Sequence, residues 1–289
     1  MEPIAIVGIG CRFPGGAHDA DSFWKLLSDG VDAIGEVPPD RWSIERFYDQ
    51  SPGKPGKTVS RWGGFVQQRI ELFDALFFGM SPREAASLDP MQRWLMEVSW
   101  EALEDAGIVP EQLAGSDTAV FIGGFTEDIK IFQLDANNRD LIGPHAATGS
   151  AMTMLANRLS YMYDLRGPSV ALDTACSSSL VAVHLACRSI WNDESALALA
   201  GGVNAMFRPE YTIAESKAGM LSPDGRRRRS TRARTAMCAA RAPGSWCSSR
   251  CAGRSPTEIR STPSFAAAAS TRMAARTASR SPAATLSRR

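Results

Sequence analysis

The run Asp173-Thr174-Ala175-Cys176-Ser177-Ser178-Ser179-Leu180 joins two apolar stretches of different period. Before it, Ser169-Val170-Ala171-Leu172 reads as a short buried strand; after it, Leu180-Val181-Ala182-Val183-His184-Leu185-Ala186-Cys187 reads as an apolar helix. The small residues between them allow a sharp strand-to-helix turn and leave the Cys176 sulfur accessible at the helix start. Free N–H groups and the macrodipole at a helix N-terminus favour a thiolate, the form that attacks carbonyls. The same N–H groups can hold the oxyanion of a tetrahedral intermediate. Cys176 is therefore a candidate acyl-accepting nucleophile. A lone cysteine is more often a small buried hydrophobe, and that reading suits Cys187, deep in the same helix.

Working outward, Ile4–Gly10, Thr118–Gly123 and Ala196–Ala200 are further continuous apolar runs of strand length. Such runs are expected in a sheet covered on both faces, so the chain reads as α/β. Helices are expected over Asp21–Leu27 and Pro90–Ala106; in the second, Trp94, Leu95, Val98, Ala102 and Leu103 fall on one face and read as core. Asp40–Gly64, rich in Pro, Gly and charge, reads as a surface loop. Gly8-Ile9-Gly10 followed by Gly15-Gly16 is no dinucleotide fingerprint, because the third glycine and the helix are misplaced. No run of ~18 apolar residues exists, so no membrane-spanning helix is expected, and six cysteines without a signal peptide do not suggest a disulfide framework. The chain reads as cytoplasmic.

The segment around Cys176 resembles the nucleophile motif of β-ketoacyl synthases, the condensing enzymes of fatty-acid and polyketide assembly. The resemblance extends to Glu2-Pro3-Ile4-Ala5-Ile6-Val7-Gly8-Ile9-Gly10-Cys11-Arg12-Phe13-Pro14-Gly15-Gly16, which looks like the opening of ketosynthase domains of modular type I polyketide synthases. Phe73–Ala85, Leu88-Asp89-Pro90-Met91-Gln92-Arg93, Trp100–Gly107, Gly201-Gly202-Val203-Asn204 and Lys217–Gly225 follow in the family's order. It is near-continuous over residues 1–225. It implies a thiolase-like layered α/β/α fold, present here mostly as its first half. It also implies acyl transfer to Cys176 and decarboxylative condensation with a malonyl-type extender. No cofactor would be bound directly; a partner acyl carrier protein would carry the phosphopantetheine. Intact members are homodimers, and Gly143–Tyr163 resembles the helix flanking the dimer interface, with Ala146, Ala147, Gly149, Ser150 and Ala151 permitting close approach.

The resemblance stops after Gly225. Residues 226–289 hold 15 Arg, no Lys and a single acid, Glu258, so the tail carries +14 and the first 225 residues −13. Three-quarters of the tail is Arg, Ala, Ser or Thr. Its few large apolar residues have no period, and such a segment is expected to be disordered. A nucleic-acid arm is one reading of it, but no aromatic stacking pattern accompanies the arginines. A shifted reading frame accounts for more. In ketosynthases Ser-Pro-Asp-Gly-Arg leads toward Gly-Tyr-Val; codons GGC-TAT-GTG-C read one base later give Ala-Met-Cys, which is Ala236-Met237-Cys238. The break then falls near Arg226–Arg229. In a shifted frame, Cys238, Cys247 and Cys251 are poor candidates for a metal site, and none is expected.

The family's two catalytic histidines lie in His-Gly-Thr-Gly-Thr and Asn-X-Gly-His motifs, neither of which is present. His18, His145 and His184 stand in other contexts and read as structural. The resemblance therefore implies a chain that can be acylated but lacks electrostatic support for condensation. The rival readings are a non-catalytic fragment left by a pseudogene or sequencing artefact, and a nucleic-acid binder acting through the tail. Neither nucleic acid nor membrane is expected as a partner.

Overall fold

A computed structural model describes residues 2–226 and the backbone of residues 244–250. The described residues belong to one compact unit. The strands are β1 (Ile4–Cys11), β2 (Gly35–Glu36), β3 (Trp62–Gly63), β4 (Ala119–Gly123), β5 (Ser169–Leu172), β6 (Leu197–Gly202) and β7 (Gly244–Arg250). The α-helices are α1 (Ala20–Ser28), α2 (Ile44–Phe47), α3 (Pro82–Ser87), α4 (Pro90–Asp105), α5 (Asp128–Gln133), α6 (Ala146–Ser150), α7 (Met154–Met162), α8 (Ser178–Trp191) and α9 (Glu210–Lys217). The main sheet has the order β1-β7-β6-β4-β5, with β4 parallel to both β5 and β6 and β7 antiparallel to β1 and β6. β2 and β3 form a separate two-stranded ribbon.

The three central layers follow from strand alternation. Val120, Ile122 and Leu199 point to one face, where they pack with Leu95 and Leu103 of α4 and Leu159 of α7. Ala119, Phe121, Ala198 and Ala200 point to the other, against Ala182, Ala186 and Ile190 of α8. Both faces are therefore covered, as the unbroken apolar runs require. Each fully buried Leu or Ile contributes roughly 1.5–3 kcal/mol of burial. Helix α4 starts where Asp89 accepts the Met91 amide at 2.8 Å and Pro90 fills the first helical position. Trp94, Leu95, Val98, Ala102 and Leu103 do line its buried face.

Three expectations change. Composition predicts no structure after residue 225, yet residues 244–250 lie between β1 and β6, pairing Ile4 with Arg250 and Leu197 with Ser249. Backbone pairing needs only N–H and C=O groups, and a gap there would leave two ladders unpaired in mid-sheet. The rest of the tail, including Ala236-Met237-Cys238, Cys251 and the frame break itself, lies outside the described residues. Asp40–Gly64 is more than a surface loop: Trp42, Thr58, Val59 and Ser60 are buried, and the segment carries α2 and β3. Gly143–Tyr163 is two helices, α6 and α7, broken at Ala151. Gly149 packs within the chain, since a Cβ on it would stand 2.2 Å from the Ser87 carbonyl, whereas Ala147 is exposed.

Candidate functional site

Strand β5 delivers the chain to the sheet's edge, and Asp173–Ser177 turn it into α8. Ala175–Ser177 form a single 3-10 turn that leads directly into α8. Within it Ala175 has φ +54°, a left-handed conformation uncommon for any residue with a Cβ. Local hydrogen bonds hold it there. The Asp173 carboxylate accepts the Ala175 amide at 2.7 Å, and the Ser177 hydroxyl donates to the Thr174 carbonyl at 2.9 Å. The Ser178 hydroxyl accepts the Thr174 amide at 2.9 Å and donates to the Ala175 carbonyl at 2.7 Å, with the Gly124 carbonyl 3.3 Å away.

Two glycines set the depth of this turn. A Cβ on Gly123, the last residue of β4, would stand 2.6 Å from the carbonyl carbon of Ser178. One on Gly202, the last of β6, would stand 2.7 Å from the Cβ of Ser179. Both strands thus end in glycine so that the first turn of α8 can rest on them. This is a close approach that no larger residue permits.

Cys176 emerges from the turn exposed, as its small neighbours suggested. The other described cysteines differ. Cys11 is buried, and burial pushes its thiol up to about 11. Cys187, half-buried on α8, is also pushed up by burial. Of the three, Cys176 alone combines exposure with a built turn beneath it. Each flanking element also exposes an apolar side chain: Val170 on β5 is 39% exposed and Leu180 on α8 46%.

The histidines belong to other segments or lie farther along α8. His18 precedes α1, with Nδ1 3.0 Å from the Gly16 carbonyl and Nε2 3.3 Å from the Asp19 carboxylate. His145 precedes α6, and His184 is exposed on α8, about two turns beyond Cys176. Among the described residues no cluster of His, Cys, Asp or Glu could hold a metal ion, and no helix is long and apolar enough to cross a membrane. Sequence reading missed the inward-turned Ser178 hydroxyl and the left-handed Ala175. The only signal of either was the run of small residues.

The family described as "Beta-ketoacyl synthase, N-terminal domain" matches residues 1–244. One component of the phenolphthiocerol/phthiocerol polyketide synthase of Mycobacterium tuberculosis is 52% identical over 225 residues, covering 78% of this chain and 14% of that protein. The phthioceranic/hydroxyphthioceranic acid synthase of Mycobacterium bovis is 48% identical over 226 residues, covering 78% of this chain and 10% of that one. Among solved structures, an oxazolomycin ketosynthase domain of Streptomyces albus superposes with TM-score 0.79 at 40% identity, covering 86% of this chain and 43% of that domain. The ketosynthase from module 6 of the bacillaene synthase of Bacillus subtilis gives 0.74 at 32% identity, covering 86% and 40%. The chain thus spans a small part of the curated relatives and less than half of the solved ketosynthase chains.

Proposed function

The chain belongs to the β-ketoacyl synthase family, and from that membership we propose that Cys176 accepts an acyl group from a thioester carried on the phosphopantetheine of an acyl carrier protein. The supporting observation is the exposed thiol on a glycine-seated turn between β5 and α8. The Cys176 sulfur attacks the thioester carbonyl carbon, the carbon–sulfur bond to the pantetheine arm breaks, and the departing thiol takes the proton that Cys176 gives up. The exchange trades one thioester for another, with no change of oxidation state.

In the complete reaction of the family, a malonyl-type extender loses carbon dioxide and its enolate attacks the acyl-cysteine. That step needs donors for the developing oxyanions, each worth about 10²–10³ in rate. His18 is engaged with Asp19, His145 precedes α6 and His184 lies about two turns along α8, and we infer that none of them supplies these donors. We therefore propose the first half-reaction, acyl transfer ending at acyl-cysteine, as the step that these residues support. We assign the open edge of β5, with Val170 and Leu180 beside it, to a second copy, as in intact members of the family. The frame break near Arg226–Arg229 belongs to the same proposal, and sequencing the gene across those codons tests it.

The function is tested by incubating the chain with an acyl carrier protein bearing an acyl thioester and mapping the mass increase. The expected result is acylation at Cys176, none in Cys176→Ala, and no β-ketoacyl product when malonyl-carrier protein is added. Condensation above the Cys176→Ala background would overturn the half-reaction; equal acylation of Cys176→Ala would overturn the nucleophile.

A further inference from the structure

We propose that Ser178 is a positioning residue for the Cys176 thiol, a role that rests on the reading of Cys176 as the acyl acceptor. Four side chains bond within the turn, counting Thr174, whose exposed Oγ1 accepts the Ser177 hydroxyl at 2.9 Å, but only Ser178 is buried. Asp173 is exposed and Ser177 half-exposed, so water competes for their bonds. Ser178 is 5% exposed, and its hydroxyl is held against the end of β4 because Gly123 leaves the room. Its two bonds bracket the strained residue: the Thr174 amide lies on one side of Ala175, the Ala175 carbonyl on the other.

The consequence follows from the preferences of alanine. With its Cβ, Ala175 is disfavoured at φ +54° by about 1–2 kcal/mol. Something outside the residue must therefore hold it there, and the bracketing hydroxyl is anchored to the sheet rather than to solvent. The peptide that follows Ala175 carries Cys176, so releasing the bracket lets the thiol swing away from its fixed bearing on α8. An acyl transfer depends on approach geometry, and a misplacement of about 1 Å can cost roughly 10²-fold. Alkylation by a small, freely diffusing reagent does not depend on it in this way. Ser178 itself carries no reacting atom, and its effect passes through Ala175.

The test uses the full chain, the octanoyl thioester of N-acetylcysteamine as the acyl probe, and iodoacetamide as the small reagent. Ser178→Ala is expected to slow Cys176 acylation at least tenfold while alkylation and the melting temperature stay close to the unsubstituted chain. Ala175→Gly added to Ser178→Ala is expected to recover several-fold of the loss, since glycine occupies the left-handed region without a bracket. Acylation of Ser178→Ala within twofold of the parent, or no recovery in the double variant, would overturn the proposal. Should Ser178→Ala lose its cooperative melt, hydrogen exchange of the unsubstituted chain decides: a protected Thr174 amide supports the bracket, and exchange at the free-peptide rate removes it. If Cys176→Ala is acylated as fast as the parent, the acceptor reading fails on its own, whatever Ser178 does.

Discussion

The two edge strands of the main sheet end in opposite ways. β1 ends in Cys11, buried and with its thiol pushed up to about 11; β5 leads to Cys176, exposed. Both edges have their glycines, but these serve different ends. Gly8 and Gly10 on β1 let α4 lie directly on the strand: a Cβ on either would stand 2.0 Å from a carbonyl oxygen of α4. At the β5 side the glycines belong to the neighbouring strands β4 and β6, and they lower the start of α8 rather than cover the edge. Beyond β1, Arg12 donates to Glu101 at 2.6 Å and to the His18 carbonyl at 2.8 Å, sealing the strand end with charge. Beyond β5 comes the Asp173–Ser178 turn. The β1 side carries a helix packed on its glycines, and the β5 side leads into an exposed turn, as the proposed acylation of Cys176 would require.

Gly10→Ala should break the β1 edge most severely. Its Cβ would stand 2.0 Å from the Val98 carbonyl, backbone against backbone, with no flexible side chain to give way. Loss of more than about 3 kcal/mol is expected, read as a collapse of the denaturation midpoint. A variant within about 1 kcal/mol of the parent would mean that α4 does not rest on β1 as described.

The next contrast is kinetic. At neutral pH Cys176 should be carbamidomethylated by iodoacetamide at least ~100-fold faster than Cys11, because both burial and a raised thiol pKa hold Cys11 back. Cys187 should fall between them. Labelling of Cys187 at the rate of Cys176 in a folded sample would erase the distinction between the two edges.

Asp89, which caps the helix lying on β1, gives a pH test. Burial pushes its carboxyl up to about 7, with Asp128 nearby adding to the effect. A carboxyl raised above its unfolded value of 3.8 holds its proton longer in the folded state. Its stabilisation is therefore complete below pH 4 and is lost as pH rises toward 7. Asp89→Asn keeps a good cap and should flatten this decline, by on the order of 2 kcal/mol between pH 4 and 7. An unchanged pH slope would show that Asp89 is not the group responsible.

The sheet was legible where its strands are unbroken apolar runs; β1, β4, β5 and β6 fall where those runs lie. β7 was not, because its place is set by the ladders it completes rather than by its own composition. Cys176 could be read from its setting between strand and helix. The role of Ser178 could not, since nothing in the sequence distinguishes Ser177, Ser178 and Ser179. Only the fold turns the middle hydroxyl inward and leaves Ser179 exposed. The buried Trp42 and Val59 in a Pro- and Gly-rich stretch escaped for a related reason: Trp42, for one, is buried by distant neighbours such as Met206, not by a local period.

The smallest expected effect probes the turn on the β5 side itself. If Ala175 is held left-handed against its preference, Ala175→Gly removes that strain while the Ser178 bracket stays in place. The strain relieved is about 1–2 kcal/mol, and the extra freedom glycine brings to the unfolded chain takes back roughly 0.5–1 kcal/mol. A net gain of about 0.5–1 kcal/mol is therefore expected, a rise of only a few degrees in melting temperature for a chain of this size. Acylation at Cys176 should be little changed, because the bracket still fixes the turn. A destabilised Ala175→Gly would mean that the left-handed turn is relaxed rather than strained. The turn would then be held by local preference and not by Ser178, and the contrast with the β1 edge would lie in exposure alone.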